Sequence, residues 1–194
     1  MPELSSKAKY NFAKRLSALN NKSHRADKFS VKVLNIPENI SNLLGRQVKS
    51  FMRPNINFAQ TETNFRGNVY KDKGKVALPS TTITLFDDEN AVTSALVYMQ
   101  VFRQINQYKD RMGRKEGTDD LRREYKFDIE VTFYTSRDEE AEAILLTGCF
   151  IQSVEHTPSD MTDSSDTEII LTIEYDNMAI KVFDEFIEVI SPKD

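Results

Sequence analysis

Strict alternation of apolar and polar residues marks the C-terminal third of the chain. In the run EIILTIEYD, Ile169, Leu171, Ile173 and Tyr175 point to one side of an extended backbone, and the residues between them point to the other. The same period of two recurs in KFDIEVTFY at 126–134. A period of two is typical of a half-buried strand, so both runs predict strands.

Further runs predict the rest of a sheet. Pro54 excludes an uninterrupted central ladder in the run 46–60, because the proline nitrogen has no hydrogen to donate to a neighbouring strand. A polar, acidic loop separates the two strands predicted within 148–178. Residues 179–190 fit either a strand or a helix. The runs are 29–36, 46–60, 76–86 and the two strands within 148–178.

Helical spacing predicts one substantial helix at 89–108, in which Val92, Met99 and Phe102 recur and Asp87 or Asp88 can cap the first turn. Shorter helical pieces are predicted at 5–21 and 138–146. Two polar, charged stretches without an apolar pattern, 61–75 and 109–124, are predicted to be loops.

Consecutive strands without repeated strand–helix–strand units argue against a parallel, doubly wound sheet. We therefore predict a mainly β (α+β) protein: an antiparallel β-barrel or sandwich with one packed helix at about 89–108 and an extended N-terminal arm. The predicted organisation is a basic arm at 1–28 followed by a single domain at 29–194.

The composition indicates where this domain is synthesised and whether it enters a membrane. The 194 residues are 39% hydrophobic and 29% charged, with one cysteine, Cys149, which cannot form an internal disulfide. No apolar run approaches the roughly 20 residues that cross a bilayer, and the N-terminus lacks the apolar segment of a secretory signal. We expect synthesis in the cytoplasm and no membrane insertion.

The net charge of −4 is unevenly distributed. Residues 1–28 hold seven Lys/Arg against two acidic residues, and residues 155–194 hold eleven Asp/Glu against two lysines. Opposite charge at the two ends favours either head-to-tail attraction between copies or contact of the basic arm with nucleic acid, and it also fits two solvated faces.

No residue pattern indicates catalysis or a cofactor. His24 and His156 lie far apart, and two histidines with one cysteine do not make an ordinary zinc site. Asp160, Asp163 and Asp166 have a spacing of three and no central glycine, unlike an EF-hand loop. Phosphate-binding glycine loops and a nucleophile elbow are absent from the sequence. We therefore predict a protein that is not an enzyme and needs no cofactor or metal.

The order of several segments resembles the tail tube proteins of contractile-tailed bacteriophages. The resemblance lies in FSVKVLNIPENI, VKSFMRPNINF, STTITLFDD, a helix, FDIEVTFY, and GCFIQSVEHTPSD followed by EIILTIEYD, which together cover 29–178. The arm at 1–28 and the charged stretch at 109–124 extend beyond the compact family pattern.

This resemblance implies a structural role. Members of the family form six-membered rings that stack head to tail into a hollow inner tube, which a sheath surrounds and through which the genome passes into the host. The implied partners are copies of the same chain, the sheath protein, and tape-measure and baseplate proteins, and DNA passes without being bound. The implied location is the virion tail, assembled in the host cytoplasm. A tube-initiating baseplate protein, the inner tube of a tailocin or secretion system, and a nucleic-acid-binding module that uses the basic arm are the alternatives.

Three groups of charged residues are predicted to matter for such a tube. Basic residues are expected to meet acidic residues of a neighbouring subunit, while other acidic residues repel DNA phosphates from the lumen. The basic candidates are Arg66, Lys71, Lys73 and Lys75; their acidic partners are Asp160, Asp163 and Asp166; the lumen-facing candidates are Asp128, Glu130, Glu174 and Asp176. The stretch from Gly148 to Met178 is expected to form the hairpin that closes the barrel.

Overall fold

The computed structural model describes residues 28–36, 38–65, 68–113, 125–158, 166–182 and 185–189. In this part of the chain there are ten strands and two helices. In chain order they are β1 Phe29–Leu34, α1 Glu38–Gln47, β2 Val48–Phe51, β3 Asn57–Phe65, β4 Asn68–Ala77, β5 Thr81–Phe86, α2 Val92–Gly113, β6 Phe127–Tyr134, β7 Glu140–His156, β8 Glu168–Glu174, β9 Asn177–Val182 and β10 Glu185–Glu188.

The larger sheet follows the strand order β1-β6-β7-β8-β5-β2, with β9 on β7 and β10 on β9, and β3 pairs with β4 as a separate ribbon. The pairs β1–β6, β7–β8, β5–β8, β2–β5, β7–β9 and β9–β10 are antiparallel. The mainly antiparallel β class with a helix is confirmed. The strand path ends at β1 and at β2, which do not pair with each other, so the described strands form an open sheet rather than a closed barrel.

The chain divides into two compact units. The first contains β1, nearly all of α1, β6, β9, β10 and β7 up to Gly148, and its core includes Val31, Ile129, Val131, Leu146 and Met178. The second contains β2 to β5, α2, β8 and β7 from Cys149, and its core includes Ile83, Val97, Ile151, Ile169 and Ile173.

The alternating runs are strands in which every second residue is buried. In β6 the buried positions are Phe127, Ile129, Val131 and Phe133, and the residues between them are half-buried. β5 and β8 repeat this pattern. The prediction from period two is therefore confirmed for β6 and β8, and β5 shows the same alternation.

In the first unit, helix α1 covers the outer edge of β1. The backbone N–H of Val33 donates to Ser41 Oγ at 3.2 Å, and Gly45 lies so close to Val31 that a side-chain methyl would overlap its carbonyl oxygen. Covering an edge in this way prevents another strand from adding there. This helix was not predicted from the sequence.

The predicted helical turn at 138–146 is wrong, because β7 begins at Glu140. Alanine, leucine and glutamate favour a helix in isolation, but Ile144 pairs with Ile180 and Leu146 with Met178 on β9. Ile144 and Leu146 are both buried. Tertiary pairing therefore overrides local propensity in this stretch.

Three boundaries in the second unit also differ from expectation. The strand predicted at 46–60 is the end of α1, the short β2, a segment without regular structure around Pro54, and the start of β3. The loop predicted at 61–75 is most of the β3–β4 hairpin. Helix α2 continues to Gly113, so 109–113 is helical, whereas 114–124 lies outside the described residues.

The stretch from Gly148 to Met178 does form an antiparallel pair, but it does not close a barrel. β7 and β8 lie in the middle of the strand order, with β5 on the far side of β8. Residues 179–190, ambiguous in sequence, contribute to β9 and β10. The predicted helix at 5–21 falls outside the described residues.

Candidate assembly surfaces

The β3–β4 hairpin is a two-stranded ribbon that is exposed along most of its described length. Register pairs run from Asn57 opposite Ala77 to Phe65 opposite Asn68, with an irregularity between Phe58 and Gln60. Every position in 57–64 and in 68–72 is exposed. An isolated two-stranded hairpin is marginally stable in water, so this ribbon needs contacts beyond those it makes here.

Apolar side chains are exposed on both faces of this ribbon. Phe58 and Val69 each keep 57% of their surface exposed, and Tyr70 keeps 56%. Phe58 and Val69 lie on one face, because directly paired residues share a face and alternate residues follow them, while Tyr70 lies on the other. An open hollow of about 380 Å³ is lined by Phe58, Ala59, Gln60, Lys71 and Asp72.

The predicted basic residues are grouped by this hairpin. Lys71, Lys73 and Lys75 all lie on β4, whereas Arg66 lies outside the described residues. Lys71 is 3.5 Å from Glu62 on the paired strand, and both side chains are more than half exposed. An exposed pair of this kind contributes about 0–1 kcal/mol, so it leaves Lys71 available to a stronger partner.

Of the predicted acidic partners, the structure describes Asp166 alone, and Asp166 is exposed just before β8. Asp160 and Asp163 lie outside the described residues. The pairing of these carboxylates with the basic hairpin across two subunits stays a prediction.

Helix α2 directs polar side chains toward the rest of the second unit, to which the helix itself belongs. The Gln104 amide bonds both backbone groups of Ile151: Nε2 donates to the carbonyl oxygen at 3.0 Å, and the backbone N–H donates to Oε1 at 3.0 Å. Gln100 donates to the Tyr125 carbonyl oxygen at 2.5 Å. Thr93 and Val97 of the same helix are buried. The helix is therefore anchored by hydrogen bonds to backbone as well as by apolar contact.

The apolar residues of α2 lie mostly on its outward side. They include Val92, Met99 and Phe102, whose helical spacing predicted the helix, together with Tyr98 and Ile105. That these residues form an exposed surface was not predicted from the sequence. The glutamines at 100 and 104, one turn apart, are the signal that could have revealed the inward side. The exposed fractions are 40% for Val92, 42% for Tyr98, 67% for Met99, 60% for Phe102 and 41% for Ile105.

Asp88 caps the first turn of α2, as one of the two predicted candidates. Its carboxylate accepts the backbone N–H of Thr93 at 2.7 Å and that of Val92 at 3.1 Å. The hydrogen bond from the Thr93 N–H is the main cause that lowers the pKa of Asp88 to about 2, against an opposing effect of desolvation. Asp87 instead accepts the Ser94 hydroxyl at 3.0 Å.

Tyr98 links the outward side of α2 to the end of β7. Its hydroxyl lies 2.8 Å from His156 Nε2, and the two rings are stacked with centroids 5.8 Å apart. This contact holds the Tyr98 side chain in place among the exposed apolar residues of α2, which are called the apolar stripe below. His156 therefore has a structural partner, and Cys149 is fully buried in the interior.

Of the four lumen candidates, Asp128, Glu130 and Glu174 occupy half-buried positions of β6 and β8, and Asp176 is exposed just after β8 ends. Asp128 has both carboxylate oxygens engaged: Oδ1 accepts the Gly148 N–H at 2.9 Å, and Oδ2 accepts Asn35 Nδ2 at 2.8 Å. Glu130 lies opposite Lys32 in the β1–β6 register. These contacts assign Asp128 a part in holding its own unit together.

Asp176 and Gly148 form a tight corner in the first unit. Gly148 has φ +68°, a left-handed conformation that glycine adopts without strain, and a methyl there would overlap the Asp176 carboxylate. The Asp176 N–H donates to the Thr147 carbonyl oxygen at 3.0 Å. Glu174 ends β8 in a half-buried position. That these carboxylates face a lumen stays a prediction.

Groups with reactive potential are enclosed or dispersed in the described part of the chain. Burial raises the pKa of the Tyr175 hydroxyl, with a smaller contribution from Cys149. Among the described residues, no three His, Cys, Asp or Glu side chains are close enough together to hold a metal ion. Neither helix, as far as it is described, combines the length and apolar character needed to span a bilayer.

Comparison with known proteins identifies the fold. No family model matches the sequence, and no curated protein matches it. A chain of the PVC sheath/tube terminator, from an extracellular contractile injection system in the extended state, is similar with a TM-score of 0.58 at 16% identity, over 84% of this chain and 99% of that chain.

Two further solved structures agree with this. A chain of the anti-feeding prophage tube-terminating cap gives a TM-score of 0.54 at 15% identity, over 84% of this chain and 94% of that chain. A chain of the PVC sheath-tube complex in the extended state gives 0.52 at 17% identity, over 93% and 99%. The chain therefore has the fold found in these contractile injection assemblies, and the fold group indicated by the sequence resemblance is confirmed.

Proposed function

We propose that this chain is a structural subunit that assembles with copies of itself into the inner tube of a contractile injection machine. The fold likeness supports this role, since the similar chains come from a sheath/tube terminator, a tube-terminating cap and a sheath-tube complex. The sequence resemblance to tail tube proteins supports it independently.

The observation that carries the proposal is the bare β3–β4 hairpin. A two-stranded ribbon with exposed apolar side chains on both faces costs free energy in a monomer and gains it when a neighbour covers them. A subunit of a repeating assembly has such a neighbour at every position.

In its finer form, the proposal is a phage tail tube. Six copies form a ring, rings stack head to tail, a sheath surrounds them, and tape-measure and baseplate proteins contact the tube during assembly in the host cytoplasm. The genome passes through the lumen in the virion tail without being bound. The chain performs no catalysis and needs no cofactor. Residues 29–194 act as one domain in this assembly, with 1–28 as an arm.

Charge sets the register of neighbouring subunits in this proposal. The basic candidates Arg66, Lys71, Lys73 and Lys75 meet the acidic candidates Asp160, Asp163 and Asp166 of the next subunit. Exposed pairs contribute about 0–1 kcal/mol each, so apolar contacts supply most of the assembly free energy. Carboxylates at Asp128, Glu130, Glu174 and Asp176 keep DNA from adhering to the wall.

Negative-stain microscopy and sedimentation of the purified protein test the proposal. Rings and tubes are expected at high protein concentration, or on addition of a tube initiator. A protein that remains monomeric under both conditions contradicts a tube role. Reversing the charge of Lys71 and Lys75 is expected to disturb stacking, and unaltered tubes would refute the charge pairing while leaving the tube role intact.

A subunit at an end of the tube is the second candidate. Terminator and cap chains are among the similar structures, with TM-scores of 0.58 and 0.54. Such a subunit forms a ring but does not stack on itself. Isolated rings that bind one end of a tube, without tubes of their own at any concentration, would favour this role over the main tube.

A further inference from the structure

The outward apolar stripe of α2 is long and continuous. From Val92 to Ile105 the helix rises by roughly 20 Å, at about 1.5 Å per residue. Tyr98, Met99 and Phe102 lie between these ends and are all at least 42% exposed. Contiguous exposed apolar side chains of this extent mark an interaction surface rather than ordinary solvent-facing residues.

One face of the β3–β4 hairpin has a matching length. From Phe58 to Asn64, which lies opposite Val69, the ribbon extends by roughly 20 Å at about 3.4 Å per residue. Phe58 and Val69, at the two ends of this face, are both 57% exposed. The hollow beside Phe58 offers room for a side chain of a partner.

The helix stripe and the hairpin face are exposed at the same time, so the hairpin does not cover the helix of its own chain. A second copy, however, carries both surfaces. Pairing one surface with the other is a heterologous contact, in which every copy receives one neighbour and donates to another. Such contacts close into rings or continue as a filament, which an isologous helix-to-helix contact does not.

We propose that the α2 stripe of one copy is the docking site for the β3–β4 hairpin of a neighbouring copy. The proposal rests on the proposed function, because it names the surfaces through which subunits of the tube meet. Phe58 and Val69 of the hairpin lie along Tyr98, Met99 and Phe102 of the neighbour.

The polar residues between Phe58 and Val69 are compatible with this contact. Glu62 and Lys71 lie opposite each other on the same face and are 3.5 Å apart, so their charges offset each other. Long side chains of this kind can lay their methylene groups on an apolar partner while the charged ends stay in water. The hairpin face therefore carries an apolar residue at each end, joined by polar positions that include the offset Glu62–Lys71 pair and the basic Lys73 opposite Gln60.

The area involved is appropriate for a stable contact. Fully covered aromatic side chains bury roughly 150–250 Å² each, and Tyr98 and Phe102 still have about half of their surface to bury. With Val92, Met99 and Ile105, which are also 40–67% exposed, the stripe contributes a large share of the roughly 800 Å² that each partner buries in a standard interface. Polar neighbours on both elements supply the remainder as a rim.

Cysteine cross-linking between two different variants tests the contact. Met99→Cys protein and Val69→Cys protein are mixed, assembled and oxidised, and a disulfide-linked dimer containing one chain of each is expected. Native Cys149 is fully buried and does not interfere. Met99→Cys mixed with Arg137→Cys is the matched control, since Arg137 is exposed in a turn far from either surface in sequence. No cross-link is expected in this control.

Disruption of the stripe provides an independent measurement. The double variant Met99→Ser/Phe102→Ser is expected to raise the protein concentration needed for assembly by about 100-fold or more, because it removes apolar area from the contact. Arg103→Ser, an exposed position beside them on the same helix, is the control and is expected to assemble normally. Far-UV circular dichroism and the urea midpoint verify that each variant is folded.

The outcomes separate this inference from the proposed function. Tubes that form normally while Met99→Cys and Val69→Cys fail to cross-link overturn the docking site and leave the tube role standing. Cross-linking of Met99→Cys only to itself also overturns it, since the contact is then isologous. Assembly that covers Met99 only after a sheath protein is added overturns it as well. A chain that forms no assembly at all overturns both proposals.

Discussion

Strand β6 and the β3–β4 hairpin are both antiparallel and extended, yet they differ in what covers them. In β6 every second side chain is buried, and Ile129 and Val131 retain no more than 1% of their surface. In the hairpin, positions of both alternating sets are exposed, with Val69 at 57% and Tyr70 at 56%. The first strand is covered by its own chain, whereas positions 57–64 and 68–72 of the hairpin are exposed.

This difference separates the apolar residues that their own chain covers from those that a neighbouring copy covers under the proposed function. Apolar residues of β5, β6 and β8 are placed where the same chain covers them. Apolar residues of the hairpin and of the outward side of α2 are placed where it does not. Substitutions in the two regions should consequently affect different measurements.

The largest contrast is expected between two identical substitutions. Val131→Ala removes two buried methyl groups and leaves a cavity, so it should lower the free energy of unfolding by about 2 kcal/mol. Val69→Ala should change it by less than about 0.5 kcal/mol, because Val69 is 57% exposed. Urea unfolding of dilute protein measures both.

In an assembly assay the order should be reversed, with the larger effect on association coming from Val69→Ala. Val69→Ala weakens association, whereas Val131→Ala affects it only through the fraction of unfolded protein. Equal losses of stability from Val69→Ala and Val131→Ala in the dilute protein would contradict the difference between the two regions.

A second contrast lies on the two sides of α2. Gln104→Ala leaves the N–H and carbonyl of Ile151 without their side-chain partner, and should destabilise by about 1–2 kcal/mol. Phe102→Ala, on the exposed side, should cost less than about 0.5 kcal/mol in the dilute protein. Thermal unfolding of both variants is the measurement, and a larger loss for Phe102→Ala would show that its ring is covered within one chain.

The smallest effect is expected from the cap of α2 and depends on pH. The folded protein holds the pKa of Asp88 at about 2, below its ordinary value of 3.8. The carboxylate therefore stabilises the fold fully above about pH 4, and this contribution is lost as pH falls toward 2. Asp88→Asn should reduce the slope of stability against pH over this interval. Glu89→Gln, which retains the Asp88 cap, should keep it, and an unchanged slope in Asp88→Asn would contradict the assignment.

Sequence patterns predicted β5, β6 and β8, whose burial is internal to the chain. The alternation in β5, β6 and β8 reflects a core that each strand faces directly. The Asp88 cap was predicted for the same reason, because its partners lie within five residues along the chain.

The remaining features depend on contacts that local patterns do not contain. The start of β7 has helix-favouring composition, but pairing with β9 decides its conformation. The hairpin at 61–75 shows no apolar period, because neither of its faces packs on a core. The apolar spacing of α2 identified a helix but not its orientation, which is decided by hydrogen bonds from Gln100 and Gln104 to distant backbone groups.

Hydrogen exchange of the β4 amides, compared between dilute and assembled protein, tests the central claim most directly. If copies of this chain cover the hairpin of one another, amides of Asn68–Ala77 exchange rapidly in the dilute monomer and become strongly protected on assembly. Amides of Phe127–Tyr134 in β6 should be protected in both states. Rapid exchange of β4 that persists in the assembled protein would contradict the account.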